Sequence, residues 1–316
     1  MIRRLVHLVA VLALVSVGTF ALLSAMPGDP AVAIAGPTAT VEDLDQLRNG
    51  LGLDRPAPLR FLQWVSAALR GDLGVSYVTN QPVGQSLRER LPASLQLVIG
   101  AQVVAVLGAL VAATVAAARV GGPFDRILRA ASFAGVAVPS FAVGVVLSGL
   151  FIQRLGWFDT FGYVPWGRDP RANVEGLILP VLSLAVPLAA LYVRVLRNDL
   201  VATLGQPHIL AARLNGLGPV RVVLAHALRQ SLSTLLTVVA LNVPALLGSA
   251  VLVESLFAIP GIGRLLVRSV SERDYLVAQG AVLIIAVTYV ITVMAVEALR
   301  HWADPRLRAD QGSVRQ

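Results

Sequence analysis

A chain of 316 residues that is 56% hydrophobic and only 14% charged falls well below the quarter of charged residues carried by a soluble domain. It has no Cys, and all 26 of its basic residues are Arg, which excludes disulfides, thiolate chemistry and a Walker A loop, whose Lys must reach nucleotide phosphates. In so apolar a chain the net charge of +8 is read first as a topological signal and not as a nucleic-acid surface.

Met1-Ile2-Arg3-Arg4 precedes an apolar run over 5–26. The run is longer than a signal-peptide core and Ala25-Met26-Pro27 is a poor cleavage site, so a retained first helix is expected. A polar segment, 28–93, follows. Thr40 can N-cap a helix beginning at Val41, closed by Gly50 or Gly52. The stretch 59–69 sets Phe61, Leu62, Trp64, Val65, Ala68 and Leu69 near one face, ahead of a Gly71-Asp72-Leu73-Gly74 turn. That apolar stripe needs cover, so the segment is expected to be an ordered excursion outside the bilayer.

Five further apolar spans follow at 94–118, 130–153, 176–196, 232–256 and 278–299, each near the length that crosses about 30 Å of hydrocarbon. The fold expected is all-α and polytopic, with six transmembrane helices and both termini on one side. Arg119, Arg126 and Arg129 crowd one short connection, whereas Arg154, Arg168 and Arg171 spread over 154–175. Short loops decide orientation, and this asymmetry puts the N-terminus inside. Trp157, Trp166 and Trp302 read as interfacial anchors.

Ala101, Ala105, Ala109, Ala113 and Ala117 form a ladder at four-residue spacing, a smooth strip along which another helix can approach. Pro139, Pro180, Pro187 and Pro244 interrupt three spans. Each frees a carbonyl that protein or water must satisfy, and irregular backbone at membrane depth lines cavities or packed interfaces. Pro139, Asn242, Pro244 and Glu254 are the candidates for a translocation path. Glu254 and Glu297 fall near span ends, and no residue charged at neutral pH stands at a span centre, where an ion-coupled carrier would place one. An intramembrane enzyme lacks a Ser–His pair within a span, and no His-Glu-x-x-His helix exists for zinc. No catalytic, cofactor-binding or metal residue is expected. Sitting between two spans, a helix-turn-helix reading of 211–228 does not suggest DNA binding.

The connection after the fourth span, 197–229, is the most informative stretch. Pro207 suits a first helical turn, and Ile209, Leu210, Leu214 and Leu217 group on one side. Gly216 or Gly218 can end the helix, and Pro219 opens a second amphipathic helix over 220–230. Roughly ten residues give a helix about 15 Å long, with Ala212 and Gly216 leaving a flat strip for a partner.

Ala211-Ala212, three intervening residues and Gly216 resemble the EAA loop of ABC-importer permeases, and His226-Ala227-Leu228-Arg229 is similar to its peptide-transporter version. The motif's Glu position is Leu210 here, and Pro207-His208 stands where an Asp-Tyr pair is usual. In chain order, Pro27-Gly28-Asp29-Pro30, Arg70-Gly71-Asp72-Leu73-Gly74, Val138-Pro139-Ser140-Phe141, Pro260-Gly261-Ile262-Gly263, Arg273-Asp274-Tyr275, Gln279-Gly280 and Asp304-Pro305-Arg306 also resemble the peptide/nickel permease family. The resemblance implies a multi-pass inner-membrane permease for peptides, nickel chelates or related solutes. It also implies a second homologous permease, two cytoplasmic ATPase subunits that hold the ATP and Mg, and an extracytoplasmic binding protein. His208, Ala211, Ala212, Arg213 and Gly216 would form the helix that docks on an ATPase. The expected organisation is a tail and first helix (1–27), an extracytoplasmic segment (28–93), a permease core (94–304, with its coupling loop at 197–231) and a cytoplasmic tail (305–316). Nucleic acid is not an expected partner; membrane lipid is.

Overall fold

The computed structural model describes residues 2–26, 30–35, 39–50, 52–158 and 162–303. The motif residues Pro27-Gly28-Asp29 and the tail from Asp304 onward lie outside them. Among the described residues the fold is all-helical, apart from an isolated bridge between Val75 and Pro82. Contacts divide the chain into two compact units, one made of residues 1–94 and 259–290 and the other of 95–258 and 291–316.

The first unit begins with α1 (Ile2–Ala25) and the short α2 (Pro30–Ala35). In α3 (Val41–Gly50) the Asp43 amide donates to Thr40 Oγ1 at 3.2 Å, and the Thr40 amide returns a bond to Asp43 Oδ2 at 3.1 Å. This reciprocal cap satisfies two amides that a helix start leaves free, and its hydrogen bonds hold the exposed Asp43 carboxyl below its ordinary pKa. Gly52, at φ +65°, closes the far end. In α4 (Ala57–Ala68) only Trp64 is buried. Phe61 is half-buried against Phe20, with centroids 5.2 Å apart, while Leu62 and Leu69 are exposed.

The excursion is then tied to the start of the last helix. The buried Asp274 carboxylate accepts from Ser76 Oγ and, at 3.3 Å, from the Tyr77 amide. Val83, Leu87, Ile262, Val277 and Ala281 form the adjoining apolar core. Gly280 permits that contact: a Cβ there would lie 2.8 Å from Val83 Cγ1.

The second unit contains most of α5 (Val83–Ala118), then α6 (Pro123–Ala137), α7 (Ser140–Ser148), α8 (Pro170–Leu204), α9 (Pro207–Leu214), α10 (Pro219–Val222) and α11 (Leu228–Leu256). The first unit adds α12 (Ile262–Ser271) and the start of α13 (Tyr275–Ala303). The whole Ala ladder is buried, each member 3% exposed or less. The other faces of α5 present Ile99, Val103, Leu107 and Val111 to the surroundings. A helix apolar all round is at home in lipid. Gly100 lets α5 approach α8, where its Cβ would meet Val181 Cγ2 at 3.0 Å. Gln102 Nε2 donates to the buried Tyr192 hydroxyl at 3.1 Å across the same interface.

Among the described residues four helices are long and apolar enough to cross a membrane: Val83–Ala118, Pro170–Leu204, Val223–Leu256 and Tyr275–Val296. The expected span at 130–153 is a broken pair, with α6 and α7–Arg154 meeting at 103°. The break follows from Pro139, which has no N–H to give and forces Val138 into extended backbone (φ −87°, ψ 121°). Counted as one span, this pair makes five. Within α1, Val9–Ala25 is a further, shorter apolar stretch among the described residues. Trp157 and Trp166 are exposed, as interfacial residues would be.

Candidate functional site

The connection between α8 and α11 is built from short, separately terminated pieces. α8 ends at Leu204, and the Gly205 and Gln206 amides turn back to the Ala202 and Thr203 carbonyls at 3.3 and 3.0 Å. Pro207 then starts α9, eight residues long. Its last turn continues through the Asn215 amide on the Ala211 carbonyl at 3.0 Å, and Gly216 terminates it at φ +82°. That left-handed conformation is cheap only for glycine.

Ile209 is fully buried and fastens α9, whereas Ala211, Leu214 and Gly216 are exposed, Leu214 by 80%. The expected grouping of Ile209 with Leu214 is therefore corrected, since five helical positions turn the two side chains about 140° apart. Of His208, Leu210, Ala212 and Arg213 only the backbone is described. The expected second helix over 220–230 is also different. α10 runs only to Val222 and passes through a π-turn (Val223–Ala227) directly into α11. Val222, Val223 and Ala227 are buried there, while His226 is exposed.

The connection hangs from a polar clamp that the sequence reading missed. Asp125, 1% exposed, accepts from Arg197 Nε and Nη2, both at 2.8 Å, and from the Gly121 amide at 3.0 Å. A bidentate guanidinium–carboxylate pair fixes orientation as well as distance. It locks the α5–α6 turn to α8 shortly before α9 begins. Arg–Asp pairs distant in sequence leave no periodic signal. The only hint was an acid alone among three Arg in a short connection.

The four path candidates stand in different settings. Pro139 is exposed at the α6–α7 break. Asn242 Nδ2 donates to the Val238 carbonyl of its own helix at 2.8 Å. Pro244 lies on the exposed face of α11, which continues through it, as α8 continues through Pro180 and Pro187, so of the four expected interruptions Pro139 alone breaks a helix; Glu254 is buried near the end of α11. Where α7, α8 and α11 meet, Gly144 makes the contact possible: a Cβ would stand 2.8 Å from Leu256 Cδ2 and 3.1 Å from Ser183 Oγ. Among the described residues no cluster of His, Asp or Glu could hold a metal ion.

Apolar helices of membrane-spanning length, one pair of them broken at Pro139, with a short exposed helix on a clamped connection, mark a polytopic membrane protein. The chain belongs to the family described as binding-protein-dependent transport system inner membrane component, whose model matches residues 105–309, while the model of that family's N-terminal part matches 1–98. It is 36% identical over 307 residues to a protein of Sinorhizobium fredii named as a probable peptide ABC transporter permease, covering 97% of this chain and 98% of the relative. It is 35% identical over 307 residues to the glutathione transport system permease of Escherichia coli K12, with 97% and 98% covered. The protein is thus a multi-pass inner-membrane permease subunit of an ABC importer, and it is not itself an enzyme, ATP hydrolysis lying on partner proteins.

Proposed function

We propose that this permease forms one half of a peptide translocation path and is driven through α9 by a cytoplasmic ATPase. The relatives' names support peptides as the solute class; none of these names supports nickel. The observation that carries the coupling role is α9 itself, a two-turn helix in which, among the described side chains, Ile209 is buried while Ala211 and Leu214, with Gly216 just beyond, are exposed. His208, Ala212 and Arg213 belong to the same helix and are kept as coupling residues with them. On this reading the chain crosses the membrane six times with both termini in the cytoplasm, α1 supplying the sixth span.

A second homologous permease completes the path. Two ATPase subunits bind ATP and Mg and close on nucleotide, pushing α9. The Asp125–Arg197 clamp passes the push to the α8 end and the α5–α6 turn. A binding protein delivers solute over the 28–93 segment. Pro139, Asn242, Pro244 and Glu254 are kept as path candidates, with the break at Pro139 supplying irregular backbone.

Because the chain has no Cys, Ala211→Cys and Leu214→Cys provide single labelling sites. In the assembled transporter, a short crosslinker at either position captures an ATPase subunit. Capture of neither, with both sites reacting with an impermeant reagent added outside the cell, refutes the coupling role and the topology together.

A further inference from the structure

The unit made of residues 1–94 and 259–290 holds a cavity of about 390 Å³, lined by Phe20, Arg55, Arg60, Trp64, Tyr77 and Gln279 among others. That size suits a small-molecule pocket. Three of the lining residues carry a buried polar atom with no hydrogen-bond partner among the described residues: Arg60 Nε, Trp64 Nε1 and Gln279 Oε1. Trp64 is 8% exposed and Gln279 only 3%. Native interiors pair such atoms almost without exception, so three orphans around one space indicate a missing ligand.

The orphans also describe its chemistry. Gln279 Nε2 donates to the Ser16 carbonyl at 2.9 Å and to Ser16 Oγ at 3.3 Å, which leaves Oε1 as an acceptor needing an N–H or O–H. Arg60 Nε and Trp64 Nε1 are donors and need an oxygen. With the Arg60 guanidinium 5.8 Å from the Phe20 ring and Arg55 nearby on the same wall, that oxygen is best anionic. Asp72 also lines the cavity, but its Oδ1 already accepts from the Gly74 amide at 2.8 Å. Phe20, Leu23 and Ser24 bring the last turns of α1 to the cavity. There an apolar helix gives way to a polar segment, the level at which lipid headgroups sit. Val17 and Leu22 on α1 are exposed by 50% and 73% and offer an apolar track for acyl chains.

We propose that this cavity binds the headgroup of a phospholipid whose phosphate carries a hydrogen-bond donor, ethanolamine or glycerol. The phosphate takes the Arg60 and Trp64 donors, and the ammonium or hydroxyl meets Gln279 Oε1. A choline headgroup has the phosphate but no N–H or O–H, so it satisfies only half of the site. The inference goes beyond the transport reading and does not depend on it.

The test is native mass spectrometry of the assembled transporter, exchanged into nanodiscs of equal phosphatidylethanolamine, phosphatidylglycerol and phosphatidylcholine and then stripped with detergent. The wild type retains the first two over the third by about tenfold, the factor expected from one hydrogen bond to a charged group. Trp64→Phe, which keeps the ring and loses the N–H, lowers retention about tenfold. Gln279→Met removes the preference among headgroups; if that variant does not assemble, Trp64→Phe decides alone. Equal retention of all three lipids, or retention unchanged in Trp64→Phe, overturns the site. Displacement of the lipid by an equal concentration of soluble glycerophosphoethanolamine overturns the lipid as its source, leaving a free solute of the same chemistry.

Discussion

Gly280 and Gly216 stand in opposite surroundings. A Cβ on Gly280 would meet Val83 Cγ1 at 2.8 Å and Leu87 Cδ1 at 3.2 Å, and one on Gly74 would meet Leu276 Cδ1 at 2.9 Å. Around Gly216 nothing lies within 4 Å, and glycine is needed there only for its φ of +82°. The region around Asp274 is thus closed by its own packing, with small residues chosen for what they let in. The α9 connection is shaped by backbone conformation and leaves apolar surface uncovered. Substitutions in the first region should lose the fold, and substitutions in the second should lose work done on something else.

The largest effect that would sharpen this division is expected just before α9. Asp125→Ala strands a largely buried Arg197, and removing one partner of such a pair costs about 3–5 kcal/mol. The purified transporter should melt well below the wild type, with most of the loss recovered when Arg197→Met is added. If the double variant is no better, the clamp is not a pair. Gly280→Val comes next. Overpacking costs about 1–3 kcal/mol, read in the same melting assay, and a wild-type melt would mean the α5–α13 contact is looser than described.

On the open side the order of effects reverses between stability and coupling. Gly216→Val forces a branched residue into left-handed backbone at about 1–2 kcal/mol, a modest melt shift, while solute taken up per ATP falls several-fold. Leu214→Ser should leave melting within about 0.5 kcal/mol and still reduce uptake. Should Leu214→Ser lower stability as much as Gly280→Val, the contrast between the two regions fails.

Much of the packed structure was legible because its signals are local or periodic. Thr40 caps α3 as its position before Val41 suggested, and the five-Ala ladder is buried throughout. Trp64 is the one residue of its stripe to be buried, because a stripe says which side faces inward but not how far the cover extends. Helix ends were less legible. α5 begins at Val83, well before the apolar run at 94, since its first turns carry exposed polar side chains such as Gln85 and Glu89. At the candidate site, Pro207 and Gly216 marked the ends of α9 correctly. The Asp125–Arg197 clamp was hidden, because it depends on what packs alongside, whereas the outward turn of Leu214 lay in its five-position spacing from Ile209 and the expected grouping overlooked it.

The central claim is that this permease has no engine of its own and works only through partners acting on α9. Its most direct test compares peptide accumulation in proteoliposomes that hold this chain alone with those holding the complete transporter and ATP. The account predicts accumulation against a gradient only in the complete system, and its loss there when position 216 carries Val. Accumulation by the lone chain, under an ion gradient or none, would contradict it.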